Sequence, residues 1–346
     1  MLENGEKMNI KVAVIDSGID LSHRTFNNIS INGVSILQQN GEWILNENIS
    51  DYNGHGTACA SVIINECMYI DIMSVGILNT EGKSDLQTLE HVLEKLIDSD
   101  VSIINMSLAV RDTIDKKLYE ICQKLVDNNI ILVAALANDH SYSFPAIFDN
   151  VIGVRSAELE KEDAYWFDRK KEIQCVIDCV ASMVAVPENA YTMILPYNSI
   201  AAAKATGVIC KILHENGVNK MNFDKVCSIM ETRALKNQWR EQELYEKHRT
   251  PNQVSWYISN SDALLKTVYK TVCRYFNRIL CGDSICNIEL LTSRGLLKMN
   301  CVYEFLKFIE TDMNIHLDYL DINRYHLITI GTLTKYIRSL LEESLV

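Results

Sequence analysis

The chain has 346 residues, 48% hydrophobic and 23% charged, and a formal net charge of −12 at pH 7. That length suits one large α/β domain and a smaller one. The acidic balance argues against nucleic acid or an anionic membrane surface as a main partner, since both need a basic footprint.

The first seven residues hold two acids and no apolar core, so no secretory signal is expected, and no apolar run approaches the 18 residues of a membrane span. Eleven cysteines without a C-x-x-C pair then read as reduced, mostly buried thiols of a cytoplasmic protein. Ile10–Ile15 is the first candidate strand, ending in Asp16-Ser17-Gly18. His23 follows and is expected on the surface or a pocket wall, as is His140 further on. Asn53-Gly54-His55-Gly56 opens a helical run, Thr57–Ile63, whose flanking glycines permit close backbone approach to His55.

Further strands are predicted at Ile70–Ile77, Val101–Met106, Ile130–Ala135, Val151–Val154 and Cys175–Ala181, near-continuous apolar runs that suit strands buried on both faces. Between them lie amphipathic helices at Leu86–Ile97, behind a capping pattern Ser84-Asp-Leu-Gln87, and at Asp115–Val126. The alternation predicts an α/β fold, a mostly parallel sheet with helices on both faces. Ser199 opens an Ala-rich helix running through Leu213, and Asn222–Leu235 is one more helix. The α/β part is placed at 8–235, a polar linker or excursion containing Pro251 at 236–261, and a small all-α domain at 262–346.

Asp16, His55 and Ser199 are an acid at a strand's carboxyl end, a glycine-framed imidazole and a hydroxyl at a helix start. Alone, each has a plainer reading, the acid as a turn former and the serine as a helix cap. Together, in the order Asp, His, Ser, they match the subtilisin version of the Ser-His-Asp triad. Asn138 ends a strand where its amide can serve a developing oxyanion. Ile104-Asn-Met-Ser107-Leu108 ends a neighbouring strand and offers an edge for extended substrate.

On these motifs, residues 8–235 resemble the catalytic domain of the subtilisin-like serine peptidases, the S8 or subtilase family. The resemblance implies Asp16, His55 and Ser199 as triad, Asn138 as oxyanion donor, and a specificity pocket lined by Ser107, Leu108 and Ala109 with Ala134 to Ala137, Ala135 and Ala137 above all. It also marks departures. Tyr197-Asn198 stands where the family usually has Gly-Thr, Ala202-Ala203-Lys204 where it has Ser/Ala-Pro-His, and Ala109 and Ala137 where glycines are usual. Added methyls narrow such a pocket, and no room is expected before Ile10 for an inhibitory pro-domain. A restrained processing endopeptidase acting on peptide or protein substrates fits best. A catalytically weak peptide-binding or scaffolding relative, or an esterase or acyltransferase on the same triad, stays open. Neither cofactor nor metal is expected.

The tail carries a second resemblance. Ser293-Arg-Gly295-Leu-Leu297 and the helix after it are similar to the second helix of acyl or peptidyl carrier proteins, with Lys298-Met299 where a carrier has its phosphopantetheine serine. Asp283-Ser284-Ile285 mimics that motif but lies too far upstream. The resemblance implies a docking module for a protein partner in a peptide biosynthetic pathway; a generic helical bundle is the alternative.

Overall fold

The first apolar run is strand β1, Ile10–Asp16, in which only Lys11 keeps partial contact with solvent. Such two-sided burial recurs in β4 (Ile70–Gly76), β5 (Ile103–Met106), β6 (Ile131–Ala135) and β7 (Ile152–Ala157). These strands form the parallel centre of a nine-stranded sheet in a computed structural model that describes residues 9–111, 116–139, 141–246, 258–282 and 284–343. The order across the sheet is β3-β2-β4-β1-β5-β6-β7-β9-β8.

Both margins are antiparallel, and of their four strands only β9 was expected from the sequence. One pairs β2 (Ile31–Gln39) with β3 (Glu42–Asn46), the other β8 (Tyr165–Phe167) with β9 (Cys175–Asp178). The first pair is largely exposed, so it lacks the continuous apolar run that marks a central strand. The run predicted at Cys175–Ala181 stops as a strand at Asp178.

Helices cover both faces. Leu89, Val92, Leu93 and Leu96 of α2 (Leu86–Leu96) and Leu118, Ile121, Cys122 and Leu125 of α3 (Lys116–Asp127) share one core with Ala13, Ile15, Ile104 and Leu132. Helix α2 is capped by Asp85, whose carboxylate accepts the Thr88 N–H at 2.8 Å, and not by Ser84. The predicted first residue of α3, Asp115, lies outside the described residues. On the other face, α1 (His55–Glu66) and α4 (Asn198–Glu215) pack together against the sheet. A fifth helix, α5 (Phe223–Arg233), is capped by Asn222. Fully burying a single Val, Leu or Ile contributes about 1.5–3 kcal/mol, so the double-sided sheet is a rigid base for loops at its carboxyl edge.

The chain divides into two compact units. The first comprises the residues through Cys179, Ala185–Ala190 and Pro196–Glu246. The second is built on α6 (Ala263–Tyr275), α7 (Val302–Met313) and α8 (Ile330–Glu343), with a core that includes Leu265, Val272, Phe305, Leu306, Leu333 and Ile337. It also takes in Val180–Val184 and Tyr191–Leu195, pieces of chain that the sequence places inside the first domain. These belong to a two-stranded ribbon, β10 (Ser182–Val186) and β11 (Ala190–Ile194). In the second unit Ser182 bridges Asn323, the Met183 N–H donates to the Ile322 carbonyl at 2.9 Å, and Tyr191 stacks on Tyr319. Helix α7 begins at Val302, after a 3-10 turn at Met299–Cys301, so Ser293 to Lys298 precede the helix rather than start it. No helix among the described residues is long and apolar enough to cross a membrane.

Candidate active site

Strand β1 delivers Asp16 to its carboxyl end, fully buried. The chain adds β4 on one side of β1 and then crosses to add β5 on the other. Ligand sites in open parallel sheets lie at the carboxyl edge beside such a reversal. His55 is the first residue of α1, and its Nδ1 lies 2.8 and 2.9 Å from the two Asp16 carboxylate oxygens. A carboxylate only accepts, so Nδ1 carries a proton, and in the neutral ring the lone pair then lies on Nε2. The side chain of His55 is 32% exposed, whereas Asp16 is sealed.

Two glycines make this pairing possible. Gly54 caps α1 at φ +94°, a conformation that L side chains rarely adopt. A Cβ on Gly56 would lie 2.1 Å from the Gly18 carbonyl oxygen, so only hydrogen fits where α1 meets the Asp16 loop.

The buried carboxylate of Asp51 ties the two motifs together, a role that sequence reasoning missed. It accepts from the Ser17 hydroxyl at 2.8 Å, the Asn53 and Gly54 N–H groups, and the N–H and hydroxyl of Thr57. Its signal was an acid four residues before His55, next to turn-forming Asn and Gly.

The pKa of His55 is raised above its ordinary value by the Cys59 sulfur, 3.8 Å from Nδ1, and by the Asp16 carboxylate, against the lowering effect of burial. Burial also raises the pKa of the Cys59 thiol. That keeps the sulfur neutral at pH 7, so the lasting cause is the carboxylate. Among the described residues, Asp16, His55 and Cys59 form a single group of acid, imidazole and thiol with ligand atoms within 4.8 Å of one another. A soft cation held there would take the Nδ1 that Asp16 now holds.

Ser199, 7% exposed, is the second residue of α4, where the first-turn N–H groups have no carbonyl a turn earlier. Its carbonyl accepts the Ser107 hydroxyl at 2.9 Å, and Ser107 in turn accepts from the Asn105 amide at 2.9 Å. Ser107 therefore braces the start of α4. The Asn198 N–H donates to the side-chain oxygen of Asn138 at 2.9 Å. Because a backbone N–H can only donate, that bond fixes which end of the Asn138 amide is oxygen and leaves its NH₂ turned away, on an exposed side chain. Asn198 also donates to the Ala137 carbonyl and accepts from both the N–H and the hydroxyl of Ser156. It stitches α4 to the ends of β6 and β7. Sequence reasoning had marked Asn198 only as a departure.

A cleft of about 400 Å³ opens beside His55, with Ser107, Leu108, Ala109 and Val110 on one wall. Reciprocal bonds between Val110 and Phe144, both at 2.9 Å, tie that wall to the loop beginning Phe144-Pro145. Ala135 and Ala137 do not line this cleft; they are buried at the end of β6. His23, expected on a surface or pocket wall, is fully buried. Its Nδ1 accepts the Thr25 N–H and its Nε2 donates to the Ala190 carbonyl at 2.9 Å, which satisfies the ring inside the fold. His140 lies outside the described residues.

The family model described as Peptidase S8, Subtilase family, matches residues 7–252. The chain belongs to the subtilase family. Its members are serine peptidases, hydrolases acting on peptide bonds. This subtilase is 28% identical over 221 residues to the major intracellular serine protease of Bacillus subtilis (strain 168), covering 59% of this chain and 68% of that protein. It is 24% identical over 199 residues to an intracellular serine protease of Paenibacillus polymyxa, covering 53% of this chain and 60% of the relative. Among solved structures, a cold-adapted subtilisin-like serine proteinase aligns at TM-score 0.56 and 19% identity, over 69% of this chain and 87% of that one. That likeness concerns the fold. The helical residues beyond 252 lie outside the family match.

Proposed function

We propose that this subtilase is a selective endopeptidase that processes a peptide or protein substrate inside the cell, with Asp16, His55, Ser199 and Asn138 as its catalytic groups. The observation that carries the reading is the grip of both oxygens of buried Asp16 on His55 Nδ1, which leaves Nε2 as the available base. In this mechanism the Ser199 hydroxyl attacks the scissile carbonyl carbon while Nε2 takes its proton. The charge that develops on the carbonyl oxygen is met by the Asn138 NH₂ and the Ser199 N–H. His55 then returns the proton to the departing amine, and water releases the acyl group by the same steps.

Restraint is supported by the methyl group of Ala109 on the cleft wall, and the cellular location by the intracellular proteases among the relatives. Removal of a leader from a modified peptide is the role we favour. The helical portion, residues 262–346 behind the polar stretch 236–261, would act as a carrier-like docking module without a prosthetic group. Nucleic acid, membrane, cofactor and metal have no part in this reading.

A fluorophosphonate probe tests the chemistry: a mass adduct on Ser199, absent in Ser199→Ala, is expected. Folded protein that takes no adduct would make the chain a peptide-binding relative. Selectivity is read by labelling new N-termini in a cell lysate, where few cleavages around one sequence pattern are expected. Cleavage spread across unrelated sequences would refute a processing role.

A further inference from the structure

The second unit contains a hollow that the peptidase chemistry does not use. It measures about 640 Å³, within the range of pockets that take small ligands or a few peptide residues. Its wall includes Ile279, Leu280, Ile288 and Leu296, together with Arg278 and Arg294. Ile279 is 82% exposed, an unusual setting for a large aliphatic side chain beside a cavity.

The two arginines differ from Arg274 and Arg338 in the same unit. Arg274 is paired with Asp312, and Arg338 with Asp262. Neither guanidinium of Arg278 or Arg294 has an acceptor among the described residues. Glu289 also lines the hollow, but its carboxylate is held by the Thr292 hydroxyl at 2.5 Å and pairs with neither arginine. Charge is distributed unevenly along the chain as well. Residues after Glu246 include twelve Lys or Arg and ten acids, so the whole negative excess lies in the residues before them. A hollow with two unengaged guanidiniums on a non-acidic unit would not repel an acidic segment.

We propose that this hollow binds an acidic, apolar stretch of the polypeptide substrate, with carboxylates on Arg278 and Arg294 and aliphatic side chains against Ile279, Ile288 and Leu296. The proposal rests on the docking role assigned above to the helical portion. Guanidinium is suited to this task, because its planar fork meets a carboxylate through two parallel N–H donors. A weak contact here still raises the concentration of a linked cleavage site near the peptidase. It would add selectivity that a narrow cleft alone does not supply.

The test uses full-length Ser199→Ala protein and a fluorescein-labelled 12-residue peptide alternating Glu and Leu, bearing one benzophenone crosslinker. Anisotropy should show saturable binding that weakens as salt rises. It should weaken at least tenfold in Arg278→Glu/Arg294→Glu, and a matched Lys/Leu peptide should bind no better than that variant. Arg278→Lys/Arg294→Lys, which keeps the charge, should retain most of the affinity. Unchanged binding by the charge-reversed protein, or equal binding of the Lys/Leu peptide, would overturn the proposal. Photocrosslinking locates the peptide, with adducts expected between residues 278 and 296. Adducts elsewhere after Glu246 would sink this hollow while leaving the docking role standing, and adducts confined to the first unit would sink both.

Discussion

Gly207 offers a sharp test of how the site is assembled. It sits where α4 crosses α1, and a Cβ built on it would lie 2.3 Å from the Cβ of Glu66 and 3.1 Å from the Ile63 carbonyl oxygen. Carbon atoms pack at about 3.5–4.0 Å, so Gly207→Ala must part the two helices by roughly an ångström or more. The clashing atom is a Cβ, next to the backbone, and cannot swing aside. Helix propensity favours Ala over Gly by about 0.5–1 kcal/mol, whereas overpacking costs about 1–3 kcal/mol. The clash wins, with a net loss on the order of 1–2 kcal/mol. For a unit of this size that lowers Tm by roughly 2–8 °C.

The effect on chemistry should exceed the effect on stability. Ser199 lies on α4 and His55 opens α1, so parting the helices moves the proposed nucleophile from its base. A misplacement near 1 Å can cost about 10²-fold. Fluorophosphonate labelling of Ser199 in Gly207→Ala should therefore slow by about one to two orders of magnitude. Circular dichroism melting would report the modest loss of stability in parallel. A variant that labels at the wild-type rate and melts at the wild-type temperature would refute the claim that this crossing sets the distance between the two groups.

Ser199→Ala should abolish peptide hydrolysis without altering the melting curve, and the losses from His55→Ala and Ser199→Ala should not add, because the two act as a unit; a double variant far slower than either single one would contradict this. Asn138→Ala should lower kcat by about 10²–10³ with little change in KM, a magnitude known from a subtilisin, a member of the same family; a change confined to KM would make Asn138 a ground-state contact. The base works only when neutral, so the raised pKa of His55 shifts the acid limb of the kcat/KM profile to higher pH than an ordinary histidine would give. Cys59→Ala should leave that limb in place if the thiol is neutral, and a limb that moves by a unit or more would show a thiolate beside the imidazole.

The strands that carry the site were legible because each is apolar along its whole length, a pattern forced by burial on both faces. Asp16, His55, Ser199 and Asn138 stood out for the same local reason: each interrupts an apolar or glycine-rich run at an element's end. Marginal strands such as β2 and β3 did not, since exposed antiparallel pairs need no such run. Asp51 and Asn198 escaped notice because their importance lies in which backbone groups they reach across the fold, and spacing along the chain does not encode that. His23 misled for the converse reason: its partners, Thr25 and Ala190, include one 167 positions away that no local pattern reveals.

The ribbon of β10 and β11 has a consequence for the timing of biosynthesis. Met183 finds its hydrogen-bond partner at Ile322, so the stem of the ribbon must wait on the ribosome for 139 further residues before that partner exists. At about 5–20 residues per second, translation takes roughly 7–28 s to supply it. Leu195, the residue after β11, lies four positions before Ser199. The segment that bears the proposed nucleophile thus leaves an element whose neighbours are made late, while Asp16 and His55 emerge early. A chain still being translated holds the acid and the base before it can settle the strand that leads to the serine.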